Sequence, residues 1–214
     1  MSDLLEEADI DYTYQKRIEL FKKILPFVVL ATFVSIVIIG TKDWYYNREA
    51  KKQEDRSNLL AEALYDKSDK SLNKEILTSL TKQNDGISDL ASFALLESSD
   101  KEKSLEILEK LMENGSNQIS KNIAKLEYVG ILLDLDKLKP EQISKMQSIL
   151  VQIDKTQPLY RNAQVYSCLF NIKIENFVKA KEIAQKLLDE ENLPESIRSQ
   201  AESVLSYINE KESK

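Results

Sequence analysis

Only four glycines and four prolines punctuate the 214 residues of this chain. Sandwiches and barrels need a turn about every 8–12 residues, and doubly wound folds need tight strand-to-helix turns, so this supply of turn formers is too small for either. The fold class expected is therefore all-α. Apolar residues make up 42% of the chain, enough to give such helices a core.

The same residue inventory narrows the chemistry. There is no histidine, which removes the commonest general base and zinc ligand, and the single Cys168 cannot close an intrachain disulfide. With 30 Lys+Arg against 36 Asp+Glu the net charge is -6, so no overall basic excess exists to engage a phosphate backbone. No catalytic, metal or cofactor site is expected, no small-molecule substrate and no nucleic-acid partner. Asp134-x-Asp136 has the opening spacing of a calcium loop. However, Leu138 and Lys139 stand where an oxygen ligand and a glycine belong, and Lys145 where a bidentate glutamate belongs, so we read it as a helix end. Cys168 reads as a small core residue, since no histidine can activate it. Asn114-Gly115-Ser116 reads as a turn.

Residues 24–41, ILPFVVLATFVSIVIIGT, carry no charge over 18 positions. As a helix they reach about 27 Å, close to the ~30 Å of a hydrocarbon core. A cleavable signal peptide would end in a small-x-small site, and Gly40-Thr41-Lys42-Asp43-Trp44 offers none. A buried core helix fits the flanks poorly. Lys22 and Lys23 sit at one end and Trp44, Tyr45 and Tyr46 at the other, where an interfacial aromatic belt would lie. Four basic residues precede the run (Lys16, Arg17, Lys22, Lys23) against Lys42 and Arg48 in the eight residues after it, which orients the N-terminus to the cytosol. The organisation expected is a cytosolic segment 1–23, a transmembrane helix 24–41, interfacial aromatics and a helical stalk 42–70, and a helical domain 71–214. The domain would lie in the periplasm of a Gram-negative bacterium, the protein being a single-pass inner-membrane protein.

Ahead of the run and leading into it, Ile10, Tyr14, Ile18, Phe21 and Leu25 recur at helical spacing, a stripe expected to rest at the headgroups, with the cytosolic face of a partner as the other reading. Residues 47–58 have Ala50 as their one apolar residue and read as a solvated stalk, supported by Lys51 and Asp55 four apart. From Leu72 the spacing predicts helices over 72–83, 87–98, 102–113, 118–135, 141–154, 159–174, 176–191 and 195–211. Asn84-Asp85-Gly86, Ser99-Asp100, Asn114-Gly115-Ser116, Lys139-Pro140, Gln157-Pro158 and Leu193-Pro194 divide them. Short links between such helices imply antiparallel hairpins. Aligning second helices on Ser104, Ser144 and Ala180, with Leu111, Val151 and Leu187 seven residues on, gives a helical-repeat period. In the last three helices Ala163, Tyr166 and Phe170 form one stripe, Phe177, Ala180, Ala184 and Leu187 a second, and Ile197, Ala201, Val204 and Ile208 a third. These three faces are expected to bury one another.

Residues 164–194 resemble a tetratricopeptide repeat through Ala180, Ala184 and Leu187, with Cys168 in place of the usual glycine and Pro194 two residues late. The whole chain resembles the bacterial YfgM-like family of ancillary subunits of the SecYEG translocon. The likeness runs from the acidic then basic start through the single span, Trp44-Tyr45-Tyr46 and the polar helix reaching Leu59–Leu64, to Leu90-Ala91-Ser92-Phe93-Ala94-Leu95-Leu96. It is also similar to an uncharacterised family of rickettsial membrane proteins. The YfgM-like resemblance implies a membrane-anchored protein-interaction scaffold with a periplasmic tetratricopeptide-like domain. Its partners would be proteins, the Sec translocon and periplasmic chaperones, besides the lipid bilayer, and its role would be in protein translocation or envelope protein biogenesis. The second reading is a self-associating structural anchor of a cell-division or envelope complex, although no sustained heptad seam follows Leu64.

Overall fold

The turn signals between the apolar stripes become helix caps. Asp85, Asp100, Asn117 and Asn176 each stand just before a helix and accept a hydrogen bond from the backbone N–H three residues on, at 2.9, 2.9, 3.0 and 3.3 Å. Pro140 occupies the first turn of its helix, where a missing N–H costs nothing, and the Gln142 side chain accepts from the Lys139 N–H at 2.9 Å. The computed structural model describes residues 46–65 and 70–212, and every regular element among them is helical. In order these are α1 (residues 46–65), α2 (Lys70–Leu80), α3 (Gly86–Glu97), α4 (Lys101–Asn114), α5 (Gln118–Leu133), α6 (Pro140–Val151), α7 (Tyr160–Lys173), α8 (Phe177–Leu188) and α9 (Glu195–Glu212). The expected span 24–41 and the interface residues Lys22, Lys23, Trp44 and Tyr45 lie outside the described residues. Among the described ones no helix is long and apolar enough to cross a membrane.

Residues 46–55 are helical and exposed throughout, Tyr46 included, and Lys52 pairs with Glu49 at 3.6 Å rather than Lys51 with Asp55. A compact unit begins at Arg56. Leu60 and Ala63 are buried with Leu77, Leu80, Ala91 and Leu95, because one apolar stripe on α1 is enough to join a core once α2 and α3 supply the rest.

From α5 onward the helices make a regular stack. Each packs on its successor, and α5 also meets α7, and α7 meets α9. The central core joins Leu108 and Leu111 of α4, Ala124, Val129 and Leu132 of α5, Met146 and Leu150 of α6, and Ala163 and Phe170 of α7. Each fully buried large apolar side chain contributes about 1.5–3 kcal/mol. Two expectations are corrected here. First, Ala163 and Phe170 are buried in the α4–α7 core, with Tyr166 packed against it, rather than in the clusters that α7 forms with α8 and α9. The surface of α7 that meets Ala180, Ala184 and Leu187 of α8 and Ile197, Ala201, Val204 and Ile208 of α9 is made by the buried Val165 and Cys168 with the half-buried Ile172. A helix packed between two others needs two apolar faces, and a single stripe describes only one of them. Second, Ser144 is exposed and Val151 is 75% exposed. The buried residues of α6 are Met146, Ile149 and Leu150, with Ile153 buried just beyond it, and positions 146, 150 and 153 match Ser104, Leu108 and Leu111 of α4 and Ala180, Ala184 and Leu187 of α8. Volume decides the register, since the large side chains fill the space between helices.

The helices expected to reach 135, 154 and 191 stop at 133, 151 and 188. Their last turns close by tighter bonds, Leu135 N to Leu132 O at 3.1 Å and Ile153 N to Leu150 O at 3.3 Å, so the apolar pattern outruns the helix. The α7 C-terminus ends differently. Glu175 has φ 60°, its N–H donates to Ile172 O at 3.0 Å, and the Asn176 N–H donates to Asn171 O at 2.8 Å, a pattern in which glycine is preferred at the left-handed position.

A polar clamp recurs along the stack. Near the start of an odd-numbered helix, or in the middle of α1, one side chain holds the link that leads into the next odd helix. Arg56 of α1 binds Asp85 and also donates to Leu80 O at 3.2 Å. Asp89 of α3, 4% exposed, accepts from the Ser116 N–H and hydroxyl at 3.0 and 2.5 Å. Asn122 of α5, fully buried, donates to Pro158 O at 2.8 Å. Arg161 of α7 donates to Glu190 at 2.8 Å. Two residues after three of these clamps comes a fully buried alanine, Ala91, Ala124 and Ala163. Residue 89 lies 33 positions after residue 56 and 33 before residue 122, and residue 161 lies 39 after that.

Three outcomes are expected of stability measurements. Asp85 is held below the usual carboxylate range, mainly by its hydrogen bond from Arg56. Its stabilisation is therefore complete above the unfolded value near 3.8 and is lost as pH falls through the lower folded value. Asp85→Asn keeps a capping side chain but loses the ion pair, so wild type should exceed it by about 1 kcal/mol at pH 7, with the difference beginning to shrink only below about pH 3.8 and vanishing below the lower folded value in denaturant titrations. Glu175→Gly should raise stability by about 0.5–1 kcal/mol, read as a higher melting temperature. Ala180→Glu places an unpaired charge among Cys168, Ala184, Val204 and Ile208, and should cost about 3–5 kcal/mol in the same assay.

Candidate protein-binding groove

On α7, Val165, Leu169 and Ile172 recur at spacings of four and three beside Tyr166, so the helix carries more apolar surface than its two packing partners cover. The surplus faces α9. Tyr166, Leu169 and Ile172 line one wall of a groove of about 520 Å³, and Ser203, Val204 and Tyr207 line the other. Leu169 remains 40% exposed and Tyr207 44% exposed.

No charged side chain lines this groove, in a chain of which 31% is charged. The Ser203 hydroxyl donates to Ser199 O at 2.8 Å and so leaves only acceptor capacity to a ligand. Burial pushes the Tyr166 phenol above its ordinary value, keeping it a protonated donor. Its ring rests over α5, where a Cβ added at Gly130 would meet Tyr166 Cε1 at 3.5 Å, an ordinary contact. Such a surface suits apolar side chains flanked by backbone polar groups.

A larger crevice of about 940 Å³ lies among α6, α7 and α8. Much of its charge is paired, since Glu182 accepts from Lys179 at 3.1 Å and from Lys186 at 2.7 Å, and Glu190 accepts from Arg161 at 2.8 Å. Between α4 and α6 Lys145 pairs with Glu109, which also accepts from the Tyr128 hydroxyl at 3.2 Å. The Lys145 ammonium stands 4.8 Å from the Tyr128 ring centroid.

Of the packing residues expected from sequence, Ala163 and Phe170 lie in the α4–α7 core, and Tyr166 spans that core and the groove. Phe177 is half-buried beside Ala180 and Ala184, while Leu187 joins Val165 and Ile197. Leu169, Ser203 and Tyr207 were missed. The visible signal was the third apolar position on α7, which no single core requires. Cys168 is buried, and desolvation pushes its thiol up to about 12, so it stays protonated. Asp134 caps the end of α5, its N–H donating to Gly130 O at 3.2 Å. Among the described residues no acidic or cysteine cluster is placed to hold a metal ion.

Comparison with known proteins gives one family model, described as "Protein of unknown function (DUF2659)", which matches residues 1–208. No curated protein and no solved structure matches the chain. With the match running over nearly the whole sequence, the chain belongs to the DUF2659 family.

Proposed function

We propose that this protein is a membrane-anchored protein-interaction scaffold whose tetratricopeptide-like hairpin stack binds an apolar segment of a partner protein between α7 and α9. The observation that carries the reading is the uncharged groove with exposed Leu169 and Tyr207. Contacts of α5 with α7 and of α7 with α9, and the clamps at intervals of 33, 33 and 39 residues, support a repeat architecture. The uncharged run 24–41 supports the anchor, and the Lys/Arg bias around it supports an inner-membrane protein with a cytosolic N-terminus and a periplasmic domain. The resemblance to YfgM-like proteins supports work beside the Sec translocon. A binding role rather than catalysis agrees with the protonated, buried Cys168 and the absence of histidine.

Photocrosslinking from position 169 or 207 of the full chain in its membrane should trap a discrete protein, whereas position 178, which is 78% exposed on α8, should not. Leu169→Asp should lower the yield from position 207 by about tenfold or more, as removal of a central apolar anchor does. The same products from all three positions would reject the groove. Protease protection on sealed vesicles tests the orientation independently. The self-associating anchor reading draws on Leu59, Leu64 and Tyr65, apolar and exposed on α1, and a monomer by light scattering of the detergent-solubilised chain would reject it.

A further inference from the structure

We propose that a second groove, between α2, α3 and α4, binds a short acidic segment of a partner protein. This site is independent of the apolar α7–α9 groove. It encloses about 600 Å³, and its walls carry Lys74 and Lys82 on one side and Lys103 and Lys110 on the other. Lys103 and Lys110 are seven residues apart on α4, two turns of one face, and none of the four lysines enters an ion pair among the described residues. Asp89 is the one carboxylate in the lining. Its oxygens accept from the Ser116 N–H and hydroxyl, which holds it on the α4–α5 link, and it forms no ion pair with the lysines, so it offsets only one of their four charges. Four ammonium groups against one committed carboxylate reverse, locally, the sign of a chain whose net charge is -6.

The floor is small and uncharged. Ser88 and Ser92 of α3 and Ser99 of the link after it face the groove, with the Ser92 and Ser99 hydroxyls donating to Ser88 O and Leu95 O at 2.8 and 2.7 Å. Leu95, Ile107 and Leu111 add apolar surface below the lysines, and Asn84 and Asn114 bring amide donors to the lining. Concave walls of one charge sign concentrate the field between them, which favours an anionic ligand. Two turns of α4 span about 10.5 Å, the reach of about three residues of extended chain, so the lysine rows suit a peptide in which acidic side chains flank an apolar one. A nucleic acid needs a wider basic face, and a polyanion reaching beyond the groove would meet a surface of net negative charge.

The probe is a fluorescein-labelled peptide Glu-Glu-Leu-Asp-Glu-Leu-Asp, titrated by anisotropy against the full chain in non-ionic detergent. It should bind at 50 mM salt, weaken several-fold at 300 mM, and not bind when its acids are replaced by Gln and Asn. Lys103→Glu/Lys110→Glu should weaken binding at least tenfold and Lys74→Gln/Lys82→Gln less, with circular dichroism unchanged. Lys137→Glu/Lys173→Glu, outside the groove, should leave binding as it is. No binding at 50 mM salt, or equal binding by the Lys103→Glu/Lys110→Glu chain, would overturn the proposal. So would tighter, lysine-dependent binding of a single-stranded oligonucleotide or of phosphatidylglycerol mixed micelles, which would assign the groove to nucleic acid or lipid.

Discussion

The stack depends on the bond that each odd-numbered helix makes to the link entering the next odd helix. Apolar burial holds helices together but is non-directional, so it tolerates sliding and rotation. The contacts of Arg56 with Asp85, Asp89 with Ser116, Asn122 with Pro158 and Arg161 with Glu190 are directional, and each ties a helix to a point one hairpin away. Asn122 shows why such a contact is costly to lose. Its amide has no access to water, so without Pro158 O and its other partners it would be a desolvated polar group.

With register set this way, the space between helices is divided into crevices of different chemistry. Between α7 and α9 the walls are apolar and tyrosine-rich. Among α6, α7 and α8 Glu182 pairs with two lysines of the crevice, and between α2 and α4 the charges are all of one sign except Asp89. The contrast follows from which charges already have partners. Glu182 lies within reach of Lys179 and Lys186 on its own helix, whereas Lys103 and Lys110 face across an uncharged serine floor.

Helix positions were legible because their signals are local. Asp85, Asp100, Asn117 and Pro140 mark helix starts by chemistry that acts over three residues, and each start lies within one or two residues of its sequence position. Helix ends were less legible, since Ile153 and Leu193 remain buried after their helices stop and extend the apolar pattern into the links. The repeat was visible as a period but set on the wrong residue of α6. Ser144 matched by size, and the large Met146 two positions later takes the buried site.

The sequence by itself determined the all-helical class, the breaks between helices and the uncharged run at 24–41, since each follows from composition or from interactions a few residues apart. Tertiary structure alone decided that α7 serves two cores, that the clamps link residues 27 to 36 apart, and that lysines from α2 and α4 share one groove. Periodicity reports which face of a helix is apolar. It does not report which neighbour covers that face, because hydrophobic burial is indifferent to the identity of the partner and only packing volume and polar bonding select it.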